Sequence, residues 1–170
     1  FVIALMSGDY VQCGLPAITD RQVRTEMALL GGYDAVLSYP VRYATSSAES
    51  FGSHAVSILD SLHCIDFLAF GSESGNIAEL SEAADVLLEE SDEFRAKLKE
   101  GLENGLSFPK ARSEALPAFS EMLSSPNNIL GIEYLKALKS QGSSITPVTL
   151  QRCGSSHLDS DTMSSLSTAS

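Results

Sequence analysis

The stretch Phe70-Gly71-Ser72-Glu73-Ser74-Gly75-Asn76 directly follows an apolar run at residues 64–70. A buried strand that ends in a Gly- and Ser-rich turn and then opens a helix is typical of open α/β sheets. Such turns place backbone N–H groups against a phosphate. Gly71 and Gly75 let the chain turn sharply and approach a ligand closely, because they carry no Cβ. Many turns of this kind bind nothing, so the segment needs support from elsewhere in the chain.

Apolar content predicts four strands, at residues 1–6, 35–38, 65–70 and 146–151. Apolar residues at helical spacing predict helices between the first three strands, from about residue 20 to 30 and from about 46 to 62. The order strand, helix, strand, helix, strand is typical of right-handed crossovers in a parallel sheet. We therefore expect a Rossmann-like α/β fold in which the four strands form one parallel sheet.

A helical region follows the third strand. The spacing predicts helices at residues 77–89, 93–104, 110–123 and 127–139. Pro126 suits the first turn of the last helix, and Ser125 suits the N-cap position before it. Residues 155–170 are rich in Ser and Asp and are predicted to be a loop or tail.

Composition narrows the possible functions. The net charge of −11 argues against broad nucleic-acid binding by the overall field, although it leaves room for a local basic face. The three cysteines form no Cys-x-x-Cys pair, so we expect no metal site, and we expect a reducing cytoplasm. No apolar run approaches the roughly 20 residues that a membrane-spanning helix needs. Because the chain opens on an apolar strand without Met, we expect it to be part of a longer protein.

Five segments, taken together, carry a family resemblance. They are Met6-Ser7-Gly8-Asp9-Tyr10-Val11-Gln12 with Gly14 and Pro16-Ala17-Ile18, Arg24-Thr25-Glu26-Met27-Ala28-Leu29, Ser47-Ala48-Glu49-Ser50-Phe51, Phe70-Gly71-Ser72-Glu73-Ser74-Gly75, and Ser125-Pro126-Asn127-Asn128-Ile129-Leu130-Gly131. A weaker sixth begins at Pro147 and includes Arg152. In this order they resemble the bacterial tRNA(Met) cytidine acetate ligase family, a branch of the HxGH-type nucleotidyltransferases.

The resemblance implies a two-step reaction. ATP, with Mg²⁺, and acetate give acetyl-adenylate and pyrophosphate, and the acetyl group then moves to N4 of the wobble cytidine of elongator tRNA(Met). It also implies that residues 1–170 are a nucleotidyltransferase-like core, incomplete at the N-terminus. Residues 76–124 would be a helical insertion, and the His-x-Gly-His segment of the family would lie upstream of Phe1.

The residues that resemble the family's ATP ligands are Gly71, one of Asn127 and Asn128, and Arg152. Arg152 is the candidate catalytic residue as well, because its planar fork suits a phosphate and adenylation requires neutralisation of charge. Each has a plainer interpretation: a turn for Gly71, a helix cap for either Asn, and a surface charge for Arg152. Glu73 could orient a neighbouring side chain, but we predict an exposed loop carboxylate.

The candidate tRNA contacts are Arg21 and Arg24. Together with Arg42, Lys110 and Arg112 they could form the local basic face that tRNA phosphates need. Family members usually have Arg where Cys13 stands, which leaves the strength of tRNA binding open.

Two alternative functions remain at the level of sequence. One is an HxGH-type adenylyltransferase that acts on a small metabolite. The other is a nucleotide-binding module without catalysis. The oligomeric state is not determined by the sequence.

Overall fold

The structure, a computed structural model, describes residues 1–152. Its strands are β1 (Ile3–Ser7), β2 (Ala35–Tyr39), β3 (Phe67–Ser72) and β4 (Thr146–Gln151). Its helices are α1 (Arg21–Leu30), α2 (Val41–Ala44), α3 (Ala48–Asp60), α4 (Ile77–Glu89), α5 (Asp92–Glu103), α6 (Phe108–Ala115) and α7 (Pro126–Ser140). Two 3₁₀ turns, Pro117–Phe119 and Met122–Ser124, lead from α6 into α7. The predicted tail at residues 155–170 lies outside the described residues.

Side-chain caps begin four of these helices. Asp20, Ser47, Asn76 and Ser91 each accept a hydrogen bond from a backbone N–H in the first turn of α1, α3, α4 and α5, respectively. These bonds satisfy amides that have no partner inside the helix. The predicted start of α7 is confirmed, with Pro126 in its first turn, but Ser125 makes no side-chain cap bond. The cap of α7 therefore comes from elsewhere.

The strands are parallel, as predicted, but they form two pairs. β1 pairs with β2, with Ile3 opposite Ala35, and β3 pairs with β4, with Phe67 opposite Thr146. The prediction of one continuous sheet is wrong for the described residues, since β1 and β3 are not hydrogen-bonded to each other. A cleft of about 720 Å³, lined by residues of both strands and of α3, separates the two pairs. Apolar content predicts a strand, but pairing also requires a neighbour at about 4.8 Å.

The core lies between the strand pairs and helices α3, α4 and α7. Its fully buried members include Val56, Leu80, Ile132 and Leu135. Side chains of the helical region belong to the same cluster, among them Phe94 of α5 and Ala115 of α6. Residues 77–124 therefore pack onto the α/β part through a shared core. Their assignment as an insertion stays a prediction.

A charged cluster is buried where α6 meets α7. Glu133, only 2% exposed, lies between Arg112 and Lys136, with oxygen-to-nitrogen distances of 2.8 and 2.9 Å. The expectation that Arg112 belongs to an exposed basic face is therefore wrong. Its apolar stem packs in the protein interior, and its charge is paired there.

None of the helices within residues 1–152 is both long enough and apolar enough to span a bilayer.

Candidate functional site

Three separate segments meet at the carboxyl ends of β3 and β4. They are the turn after β3, the first turn of α7, and Arg152 directly after β4. Ligands of open α/β folds bind at this end of the strands, because loops from different strands converge there. The fold thus places the sequence-predicted residues at one location, although Asn127 is 56 positions from Gly71 and 25 from Arg152 in the chain.

The turn after β3 is held by a fully buried hydroxyl, that of Ser72. Its Oγ lies 2.7 Å from Oγ1 of Thr149 on β4 and accepts a 3.0 Å hydrogen bond from the backbone N–H of Gly75. Gly75 has a φ of +63°, and a Cβ there would lie 2.6 Å from Cβ of Gln151. The turn therefore requires glycine at this position, for both conformation and space.

Glu73 joins the turn to α7. Its Oε1 accepts hydrogen bonds from the side-chain Nδ2 of Asn127 at 2.7 Å and from the Asn127 backbone N–H at 3.3 Å. Its Oε2 accepts a 2.7 Å bond from the backbone N–H of Asn128. Because Pro126 has no N–H, these are the first two amides of the helix, and Glu73 caps both. The prediction of an exposed loop carboxylate is wrong, since Glu73 is partly buried and bonded.

The charge of Glu73 is stabilised by these contacts. Partial burial by itself would raise the pKa of Glu73, but the hydrogen bonds from Asn127 and Asn128 outweigh it and hold the pKa below its ordinary value. The carboxylate also lies at the positive end of the α7 dipole. It occupies the position at which that helix end would otherwise receive a phosphate.

The two asparagines differ in what they contact. Asn128 is 4% exposed, and its Oδ1 accepts a 3.0 Å bond from the backbone N–H of Ser74. The side chain of Asn128 therefore holds the turn after β3, and Glu73 of that turn caps the backbone N–H of Asn128. Asn127 is less buried, and its Oδ1 accepts a long 3.5 Å bond from Nη1 of Arg152. Of the two, Asn127 is the one that faces Arg152.

Arg152 is anchored at both ends. Its backbone N–H donates to the carbonyl of Ser72 at 2.9 Å, which continues the β3–β4 ladder by one bond. Its stem crosses Gly71, where an added Cβ would lie 3.2 Å from Cγ of Arg152. The absence of a side chain at Gly71 thus makes room for the arginine stem. The structure brings Gly71, Asn127 and Arg152 into one cluster, with Asn128 behind it.

The other candidates lie elsewhere. Arg24 of α1 donates from Nη1 to the carbonyl of Gly8 at 2.7 Å, so it holds the loop after β1. Arg21, at the start of the same helix, is exposed. Among residues 1–152, no group of three or more His, Cys, Asp and Glu side chains is arranged to hold a metal ion.

Sequence reasoning raised an orienting role for Glu73 but did not identify the helix cap that Glu73 forms. Its partners lie 54 and 55 positions away in the chain, and no local pattern reports a bond over that separation. The pair Ser125-Pro126 gave one indirect signal for this cap. It predicted the N-terminus of a helix, where the first backbone N–H groups need acceptors from outside the helix.

Comparisons with known proteins identify the family of this chain. The family model described as HIGH Nucleotidyl Transferase matches residues 1–170, so the chain belongs to the HIGH nucleotidyltransferase family. Among its relatives, the tRNA(Met) cytidine acetate ligase of Caldanaerobacter subterraneus subsp. tengcongensis is 53% identical over 160 residues, which are 91% of this chain and 40% of the relative. The tRNA(Met) cytidine acetate ligase of Acetivibrio thermocellus is 44% identical in an alignment of 177 positions, gaps included, which covers 100% of this chain and 43% of the relative.

Two solved structures share the fold. Thermotoga maritima TmcAL bound with alpha-thio ATP superposes with a TM-score of 0.82 at 41% identity, covering 89% of this chain and 39% of that protein. The apo form of the same protein gives a TM-score of 0.86 at 40% identity, covering 94% and 40%. The Rossmann-like fold class is thereby confirmed. The chain spans about 40% of the length of these relatives.

Proposed function

We propose that this chain is the nucleotidyltransferase core of an ATP-dependent tRNA(Met) cytidine acetate ligase, acting in the cytoplasm. The observation that carries the proposal is the cluster of Gly71, Asn127 and Arg152 at the carboxyl ends of β3 and β4. The relatives of that name, at 44–53% identity, support the assignment of the substrates. The solved relative that binds alpha-thio ATP supports ATP as the nucleotide.

The residues present suit a nucleotide. Asn127 carries both a donor and acceptor, which can read a base or ribose edge. Arg152 carries a permanent positive charge with a planar set of donors, which matches phosphate oxygens. Magnesium would arrive with the triphosphate, as part of the same proposal.

The proposed chemistry assigns a definite role to Arg152. The acetate carboxylate attacks the α-phosphorus of ATP, an acetyl-adenylate forms, and pyrophosphate leaves. N4 of the wobble cytidine then attacks the acetyl carbon, and AMP leaves. Arg152 neutralises the charge that develops on the phosphate oxygens in the first step. Asn127 and the stem contact with Gly71 hold the guanidinium in place.

The proposal assigns the contacts with elongator tRNA(Met) to Arg21 and Arg24. Arg21 is exposed and can contact a phosphate. One guanidinium nitrogen of Arg24 already donates to the carbonyl of Gly8, so Arg24 would both bind tRNA and stabilise the loop after β1.

The test uses the full-length protein that contains this chain. Acetate-dependent exchange of pyrophosphate into ATP, measured without tRNA, reports the first step. Arg152→Ala is expected to slow this exchange by about 100-fold, the scale of losing one group that stabilises charge. Arg152→Lys is the matched control, which keeps the charge and loses the fork. An unchanged exchange rate in Arg152→Ala would contradict the assigned role.

A second measurement distinguishes the alternatives. Labelled acetate should be transferred to elongator tRNA(Met), and replacing its wobble cytidine by uridine should abolish transfer. Exchange with a different small carboxylate or nucleotide acceptor, but no transfer to tRNA, would favour an adenylyltransferase of small metabolites. ATP binding without any exchange would favour a nucleotide-binding module.

A further inference from the structure

We propose that Glu73 is a positioning residue for the adenylation step, and that it acts by setting the orientation of the Asn127 amide against Arg152. The proposal rests on the proposed function, because it concerns the same site. It identifies which neighbour Glu73 orients, which the sequence did not show.

Glu73 fixes which side of the Asn127 amide faces it. The Nδ2 group donates to Oε1 of Glu73 at 2.7 Å, the shortest contact that the amide makes. A carboxylate only accepts hydrogen bonds, so it selects the NH₂ side of the amide. The oxygen of the amide must then point away from Glu73, and it points toward Nη1 of Arg152.

This orientation of the Asn127 amide suits Arg152. A guanidinium only donates, so an amide oxygen beside it is complementary and an amide NH₂ group is not. The distance of 3.5 Å is long, which makes the bond weak and its direction dependent on the Asn127 rotamer. Glu73 controls that rotamer through the 2.7 Å bond that it accepts from Nδ2 of Asn127.

Glu73 is itself held in place. The backbone N–H groups of Asn127 and Asn128 fix its two oxygens, and Asn128 returns a bond to the backbone of Ser74. The turn and the helix thus hold each other through reciprocal bonds. An ordered chain of contacts runs from the turn through Glu73 and Asn127 to the guanidinium.

The substitution Glu73→Gln is expected to reverse the orientation of the Asn127 amide. The introduced amide can still accept from the Asn128 N–H with its oxygen. Its NH₂ group then faces Nδ2 of Asn127, so the Asn127 amide is favoured in the flipped orientation, with NH₂ toward Arg152. We expect acetate-dependent pyrophosphate exchange to fall by roughly 10-fold, the lower end of what losing an orienting partner costs.

The swap Glu73→Gln with Asn127→Asp is the decisive variant. The amide at position 73 donates to the carboxylate at position 127, whose second oxygen again faces Arg152. The net charge of the pair is unchanged, and the side-chain bonds from position 127 to position 73 and to Arg152 each have a counterpart. Only the 3.3 Å bond from the backbone N–H of residue 127 loses its acceptor. Exchange is expected to recover to within about threefold of the wild type, the usual scatter of such contributions. Glu79→Gln, in the exposed first turn of α4, is the matched control for loss of one negative charge.

A double-mutant cycle separates positioning from simple stabilisation. If Glu73 acts through Arg152, adding Glu73→Gln to Arg152→Ala should slow exchange no further. Thermal unfolding of each variant is recorded in parallel, and exchange is measured well below the lowest midpoint. A lower midpoint with wild-type exchange in Glu73→Gln, or additive losses in the cycle, would overturn the proposal.

Two further outcomes are assigned in advance. If Glu73→Gln does not fold, the swap variant decides: wild-type-like exchange supports the proposal, and a folded swap with exchange as slow as Arg152→Ala overturns it. If the wild-type protein shows no acetate-dependent exchange, the proposed function fails. Normal exchange in both the wild type and Glu73→Gln would refute the role of Glu73 alone.

Discussion

At the scale of single residues, Gly75 and Gly142 form a natural comparison. Both have a φ of +63°, a conformation that side chains with a Cβ rarely adopt. A Cβ at Gly75 would lie 2.6 Å from Cβ of Gln151, whereas one at Gly142 would meet nothing within 4 Å. The pair thus separates the cost of conformation from the cost of a clash.

We expect Gly142→Ala to lower the free energy of unfolding by about 1–2 kcal/mol, the cost of the left-handed conformation. Gly75→Ala should cost about 1–3 kcal/mol more, because the turn and β4 must move apart. Chemical denaturation of both variants measures the difference. Equal losses would show that the chain relieves the contact with Gln151 without strain.

At the scale of the elements, α7 depends on a cap from another part of the chain. Its own N-cap residue, Ser125, makes no side-chain bond, and Glu73 takes that role from the turn after β3. The same carboxylate therefore contributes to helix stability and to the geometry around Arg152. This coupling predicts a specific pH dependence.

The folded protein holds the pKa of Glu73 below its ordinary value of 4.5. As the pH falls, Glu73 is therefore protonated in the unfolded chain before it is protonated in the folded protein. The free energy of unfolding decreases as the pH falls below the ordinary pKa of 4.5. We expect wild type to exceed Glu73→Gln in unfolding free energy at pH 7, and the gap to narrow below pH 4.5. Urea denaturation at a series of pH values measures this gap.

At the scale of the whole molecule, the helical region and the α/β part are joined by buried charge as well as by apolar contacts. Glu133 pairs with both Arg112 of α6 and Lys136 of its own helix. The contact to Arg112, although 2.8 Å long, is not aligned as a hydrogen bond. The cluster also lies against α3, where a Cβ at Gly52 would come within 3.1 Å of Glu133.

Removing Glu133 leaves Arg112 and Lys136 without their shared buried partner. We expect Glu133→Ala to lower the free energy of unfolding by about 3–5 kcal/mol, as for other broken buried ion pairs. Glu49→Ala is the matched control, because Glu49 lies 3.7 Å from Lys136 but its side chain is 75% exposed. Its loss should be at most about 1 kcal/mol. Similar losses in the two variants would show that burial does not determine how much this cluster contributes to the free energy of unfolding.

Residues 1–152 leave two apolar surfaces of the whole molecule uncovered. The cleft between β1 and β3 is apolar, and Phe67 and Leu150 on the outer face of β3 and β4 are 65% and 68% exposed. Parallel sheets usually have both faces covered. These surfaces therefore identify the face of the sheet at which this chain's packing is incomplete.

Local patterns predicted most of the elements. The strands at residues 35–38 and 146–151 and the helix start at Pro126 follow from spacing and residue type. The helix predicted at residues 110–123 is wrong in its second half, because α6 ends at Ala115 and two 3₁₀ turns follow. The candidate site residues, by contrast, came from the family resemblance, because each of them alone also suits a turn, a helix cap or a surface charge. The elements and their ends are local features. Such features depend on interactions within a few residues, which the sequence displays directly.

Only the tertiary structure decided how these pieces meet. It separated the strands into two pairs, placed Asn127 against Arg152 and Asn128 behind it, buried Arg112 and converted Glu73 from a loop charge into a helix cap. Each of these depends on contacts between residues far apart in the chain. The partner of a polar group is set by which elements pack together, so it cannot be read from the neighbouring sequence.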